Sequence, residues 1–164
     1  MSNAYDVLRD HHNVLRGLGG RFKAAPVGSV ERQAILDELL REFTIHMRIE
    51  DDIYYPALAA ASRLIAIAHA EHRQIYDQLA VALRTPAHSP RHVDEWNSFL
   101  IVLEAHADEE ERDLVPPPAP IDLTDAELDE LGNRMLAEME RQRNSRFEQL
   151  HVKARAKFLA LMPG

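Results

Sequence analysis

The chain of 164 residues has no cysteine. This excludes disulfides, thiolate metal ligands and cysteine nucleophiles, so any bound metal must be held by nitrogen and oxygen. Long apolar runs are missing as well. None approaches the ~20 residues that a membrane-crossing helix needs. The first residues carry neither the basic flank nor the apolar core of a secretion signal, which predicts a cytoplasmic protein. Positive charge is in deficit: 19 Lys and Arg against 27 Asp and Glu leave a net charge of -8, which argues against nucleic acid or an anionic membrane as a partner. Glycine is sparse, and the six glycines and nine prolines stand mainly at breaks between long periodic stretches. No strand-like alternation occurs between those breaks, so the prediction is all-α, in a chain long enough for one real core.

A first helix is predicted over about Asn3 to Phe22, ending near Gly19-Gly20. Ser29 or a neighbour can cap a second, which runs toward Pro56 with Leu36, Leu39, Leu40, Phe43, His46, Ile49, Glu50 and Ile53 on its inward stripe. A third covers about Ser62 to Leu83, before the breaks at Thr85-Pro86 and Ser89-Pro90. The fourth carries Trp96, Phe99, Leu103, His106 and Glu110 inward until Pro116-Pro117-Pro118 stops it. Thr124 with Glu127 three residues on is a capping-box signature for one more amphipathic helix, along Leu128, Leu131, Met135 and Met139. A basic final segment around Lys153 and Lys157 can also be helical and pack on the bundle. The expected organisation is a four-helix bundle over residues 1–119 with a C-terminal helical extension over 120–164.

The most informative feature is a repetition. His46-x-x-x-Glu50-Asp51, running on to Tyr54-Tyr55-Pro56, recurs sixty residues later as His106-x-x-x-Glu110-Glu111, running on to Leu114-Val115-Pro116. Asp10-His11 with Val14 and Leu18 recurs at nearly the same offset as Glu71-His72 with Ile75 and Leu79. Such duplication predicts two helical hairpins that face each other across a shared interior. Residues four apart on a helix differ by about 40° in direction and ~6 Å in height. His46 and Glu50 therefore share a face, as do His106 and Glu110, and both pairs lie on otherwise apolar stripes. A carboxylate there needs a cation, no Lys or Arg stands beside it, and a metal ion is the simplest compensation.

The candidate ligands are thus His11, His46, Glu50, His72, His106 and Glu110. His12 and Glu111 are expected to be turned toward water. Four imidazoles and two carboxylates suit iron or manganese better than calcium. Carboxylates from opposed helices could bridge two ions and leave coordination positions open for chemistry. The competing structural reading is a set of core histidines bonded to the glutamates. His69 can be an extra ligand, a supporting group or a surface residue; Tyr76 can bond a ligand or serve as a core aromatic. His88 and His92 have ligand-like spacing but flank Pro90 at a turn, so they are set aside. Since histidines bind metal when neutral, affinity is expected to fall below about pH 6.

These motifs resemble the hemerythrin-like, or HHE cation-binding, family. Its order is a His on the first helix, His-x-x-x-Glu on the second, His on the third and a His–carboxylate pair on the fourth. His11, His46 with Glu50, His72, and His106 with Glu110 follow that order, over about Asp6 to Pro116. The resemblance implies an antiparallel up-down-up-down bundle around two non-haem iron ions bridged by oxide or hydroxide, with manganese or zinc as lesser alternatives. It implies a small ligand or oxidant: dioxygen, peroxide or nitric oxide. Oxygen-carrying hemerythrins use two third-helix histidines four apart, whereas His72 has Tyr76 and Ala68 at those positions. That departure argues against reversible oxygen carriage, and the fourth-helix spacing of four between His106 and Glu110, rather than five, also favours the broader bacterial-type group linked to oxidative or nitrosative stress and iron sensing. A redox-active protein with catalase-like turnover and a sensor that signals to a protein partner, or within a homodimer, through the C-terminal helices are both compatible with the resemblance.

Overall fold

The computed structural model describes residues 3–58, 61–117 and 123–145, with 153–154, 156–158 and 160 of the tail. The described residues form helices and turns, without a strand. The helices are α1 (Ala4–Ala24), α2 (Val30–Ile49), α3 (Ser62–Arg84), α4 (His92–Asp113) and α5 (Asp125–Asn144). α2 continues through a π-helical turn, Glu50–Tyr54, into a short helical end, Tyr55–Ala57.

Local chemistry explains the boundaries. Asn3 and Ser29 accept hydrogen bonds from the backbone N–H groups of Asp6 and Arg32, satisfying donors that have no partner inside the helix. Thr124 and Glu127 form the full capping box. α1 does not stop at Gly19-Gly20 as expected. It runs on to Ala24 and ends where Ala25 is extended before Pro26. The ~1 kcal/mol cost of a helical glycine is outweighed by the burial of Phe22 beyond the pair. Gly19 is needed for close approach, since a Cβ there would lie 3.1 Å from Leu100 Cδ2.

The core has two apolar ends separated by a polar layer. At one end Leu15, Leu18, Phe22, Ile35, Leu39, Phe43, Ile75, Leu79, Trp96, Phe99 and Leu103 pack together. At the other, Val7, Leu8, Ile49, Tyr54, Tyr55, Leu114 and Val115 meet Leu128, Leu131, Met135 and Met139 of α5. α1 packs on α2 and α4, and α3 on α4. α5 lies against both α1 and α2. The fifth helix is why α2 is buried nearly all round between Glu42 and Met47. In the tail, Lys153–Ala154, residues 156–158 and Ala160 are helical, and Ala156 packs on the first apolar end. The rest of the predicted tail helix lies outside the described residues.

Because Met135 is fully buried between α5 and the bundle, Met135→Ala should lower unfolding free energy by about 2–5 kcal/mol. A urea midpoint equal to wild type would show that α5 is not part of the folding unit.

Candidate metal centre

Between the two apolar ends, four helices aim their polar side chains at one point. Ligand atoms of His12, His46, Glu50 and Glu110 lie within 4.8 Å of one another, and so do those of Glu50, His72 and His106. Glu50 belongs to both groups and divides its oxygens between them. Its Oε1 is 2.9 Å from His46 Nε2 and 3.8 Å from His12 Nε2. Its Oε2 is 3.1 Å from His72 Nε2 and 3.7 Å from His106 Nε2. Glu110 Oε2 lies 3.1 Å from His12 Nε2. The Tyr55 hydroxyl reaches to within 3.3 Å of His72 Nε2.

The structure brings five of the six expected residues together and leaves out His11. That residue is buried, but its Nε2 pairs with Glu42 at 3.1 Å, and its ring packs edge-on against His46. His12, expected in water, is 0% exposed and takes the place assigned to His11. The packing explains the reversal: α5 covers a second face of α1, so both histidines are buried, His11 toward Glu42 and His12 toward Glu110. The signal was present in the repeat. At a strict offset of sixty, His46 maps to His106 and Glu50 to Glu110, and it is His12 that maps to His72.

Three histidines present Nε2 to the centre because a carboxylate holds the other ring nitrogen. His12 Nδ1 bonds Glu111 at 2.8 Å, His72 Nδ1 bonds Asp51 at 3.0 Å, and His106 Nδ1 bonds Glu71 at 2.8 Å. This is the arrangement that fixes tautomer and ring angle in metal sites. Glu111 was expected to face water; it is partly buried and held by His12 and Arg16. It occupies the repeat position of Asp51, and the two play the same part. His69 sits on the outer side of Asp51, its Nδ1 3.1 Å away, and so supports His72 only through that carboxylate. Tyr76 packs against Phe43 in the core. His92 bonds the Thr85 carbonyl and His88 is exposed in the turn.

The electrostatics are those of a cation site. Among the described residues, the buried atoms without a hydrogen bond include His12 Nε2, His46 Nε2 and both oxygens of Glu50 and of Glu110. These atoms are close but misaligned for hydrogen bonding with each other, and buried polar groups are seldom left in that state. Burial would push Glu50 up, but His46, His106 and His12 hold it well below the ordinary carboxylate range. Burial and the charge of Glu50 push Glu110 up to about 7. Burial brings His46 down to about 3. For His12, His72 and His106 burial acts downward, yet the facing carboxylates win, giving about 9, 9 and 10. Protons thus supply the positive charge that the carboxylates require, in positions a metal ion would fill. The donor set of imidazole nitrogen and carboxylate oxygen, converging on unsatisfied atoms, fits one or two such ions.

Comparison with known proteins agrees. The sequence profile of the hemerythrin HHE cation binding domain matches residues 3–118. The uncharacterized protein Rv2633c of Mycobacterium tuberculosis is 56% identical over 157 residues, covering 96% of this chain and 98% of its own length. The uncharacterized protein Mb2666c of Mycobacterium bovis matches equally. A crystal structure of an HHE cation binding domain-containing protein from Mycobacterium kansasii, described as an Rv2633c homolog, is 60% identical, with a TM-score of 0.90 over 97% of this chain and 98% of that one. Repeat, bundle and converging ligands together have one explanation: the chain belongs to the hemerythrin HHE cation-binding domain family, whose members bind metal cations.

Proposed function

We propose that this chain is a dinuclear non-haem iron protein that binds or reacts with a small oxidant, dioxygen, peroxide or nitric oxide, in a cytoplasmic redox or stress response. The carrying observation is Glu50, a fully buried carboxylate with one oxygen turned to each group of imidazoles. His12, His46, Glu50 and Glu110 would hold one ion; His72, His106 and the other oxygen of Glu50 would hold the second. Iron there would supply one-electron and peroxide chemistry at positions the protein leaves open. The chain's own contribution is geometric and protic. Glu111, Asp51 and Glu71 keep three Nε2 atoms aimed inward, while the two apolar ends exclude water. Burial, together with the charges of Glu50 and Glu110, raises the Tyr55 phenol, so it keeps its proton and offers a donor at the inner surface.

A second reading, a sensor that signals through the C-terminal helices, rests on one connection. Arg143 of α5 bonds Glu42 through Nη2 at 2.7 Å, Glu42 pairs with His11, and the His11 ring lies 5.1 Å from that of His46. Burial opposes ionisation of Glu42, but His11 and Arg143 hold its pKa at about 2, so this link stays charged. If it transmits metal occupancy, tryptic cleavage near α5 should differ between metal-free and loaded protein, and Glu42→Gln should abolish the difference. Identical cleavage in both states removes the sensor reading.

The ligand assignment is tested by elemental analysis with absorption spectra. Wild type should hold two irons per chain, with oxo-bridge bands in the near ultraviolet. His12→Ala should lose at least one ion, Glu50→Ala should lose both, and His11→Ala should load like wild type. Loss on His11→Ala but not on His12→Ala would restore the assignment made from sequence.

The pH window also moves. His12, His72 and His106 carry protons at pH 7 in the metal-free state and must shed them to bind metal. Affinity should therefore climb as pH rises through neutrality toward about 9, rather than level off above pH 6. Ferrous ion added to metal-free protein in weak buffer at pH 7 should release protons, read with an indicator dye. Uptake without proton release would show that the cage is neutral before loading.

A further inference from the structure

We infer that Asp51 and His69 form an outer docking site for a borderline divalent cation such as ferrous ion, from which His72 hands the ion on to the centre. The inference rests on the proposed metal centre and adds a loading site to it, built on residues outside its ligand set.

Asp51 follows Glu50 directly, inside the π-helical turn, and the two carboxylates hold the His72 ring by its two nitrogens. Glu50 Oε2 stands 3.1 Å from Nε2 on the inner side, and Asp51 Oδ1 stands 3.0 Å from Nδ1 on the outer side. His69, three residues before His72 on α3, brings its own Nδ1 to 3.1 Å from that same oxygen. Ligand atoms of Asp51, His69 and His72 all lie within 4.8 Å of one another. Donors ~2.1 Å from one ion and at right angles to each other are about 3.0 Å apart, so these spacings suit a single cation. The Tyr55 ring packs on both imidazoles, 5.4 Å from His69 and 5.6 Å from His72 between centroids, and sets their spacing. The Asp51 and His69 side chains are 39% and 42% exposed, that of His72 5%. Of the three groups of metal-type donors among the described residues, this one alone runs from solvent to the buried layer.

The donors select the ion. Two imidazole nitrogens with a carboxylate suit ferrous, cobaltous or zinc ions over calcium or magnesium, which favour oxygen throughout. The other carboxylates that back histidines of the centre lack this arrangement. Glu111 is already paired with the Arg16 guanidinium at 2.9 Å. Glu71 has the carboxylate of Glu109 and the charge of Arg112 as its outer neighbours. At Asp51 the neighbour is a nitrogen donor instead. A neutral imidazole has one lone pair to give. His72 therefore serves the outer ion through Nδ1 or the inner ion through Nε2, but not both. Filling the centre withdraws a ligand from the outer ion, which makes this a station for loading and not a third permanent site.

Loading kinetics of the metal-free protein test this without any oxidant. Ferrous ion, followed in stopped flow by a dye that reports the free ion, should enter His69→Ala about tenfold more slowly than wild type. Final iron per chain and melting temperature should stay unchanged. His69→Cys places a thiolate donor at the same position and should restore the rate. With cobaltous ion that variant should show a sulfur-to-cobalt charge-transfer band in the near ultraviolet, rising first and decaying as the centre fills. The wild-type chain has no cysteine, so the band can have no other source. Equal loading rates in wild type and His69→Ala, or no such band in His69→Cys, would refute the proposal. So would a final iron content that falls in His69→Ala and is not recovered in His69→Cys, since His69 would then only prop Asp51 and His72. If loaded wild type ignores dioxygen, peroxide and nitric oxide, the redox reading fails, while the loading rates and the cobalt band still judge the outer site.

Discussion

Two glutamates buried to 0% and 2% exposure govern the rest of the molecule. An ionised carboxylate in such a place costs several kcal/mol unless positive charge meets it directly. The chain meets that demand with the imidazoles of His12, His72 and His106 from three helices, while the uncharged His46 on a fourth stands against Glu50. The facing imidazoles hold Glu50 ionised, while burial and the charge of Glu50 raise Glu110 to about 7. A layer with so strict a charge requirement fixes the register of the bundle. The two apolar ends then supply most of the cohesion, with Tyr54, Phe43 and Phe99 among the side chains they bury completely.

Much of this was legible in the sequence because helical periodicity and the repeated His-x-x-x-Glu are local signals. The five helices, the Thr124 capping box and five of the six converging side chains follow from them. His12 was misplaced because assigning a buried face to α1 required knowing what covers it. A four-helix bundle buries one stripe, but α5 buries a second, and only the long-range packing of Leu131 and Met135 on α1 and α2 reveals this. Glu111 was missed for a related reason. Its direction on α4 is lateral, and it becomes important only once His12 on a different helix arrives beside it.

The π-helical turn is a further feature that periodicity hides. On α4, the N–H of Leu114 bonds the carbonyl of Glu110 in the ordinary manner. On α2, the N–H of Tyr55 bonds the carbonyl of Glu50, one residue wider. The extra residue turns the tyrosine pair into the bundle. Tyr54 bonds the carbonyl of Leu114 and Tyr55 reaches His72. The equivalent places just past α4 hold Leu114 and Val115, whose side chains only pack. Such single wide turns recur at functional sites, where they redirect side chains without ending the helix.

The two hairpins are alike but not identical, and the difference falls beside the centre. Glu71 backs His106, whereas the position sixty residues earlier is His11, which packs on His46 and leaves its Nδ1 without a bond. An imidazole backed by a carboxylate is the stronger electron donor. Two separate copies of one hairpin, assembled as a symmetric dimer, would carry the same residue on both sides and make equal halves. A single chain that carries both hairpins is free of that equality, so its halves can differ in donor strength. If two ions occupy the centre as proposed, electrons added to them would favour one over its neighbour.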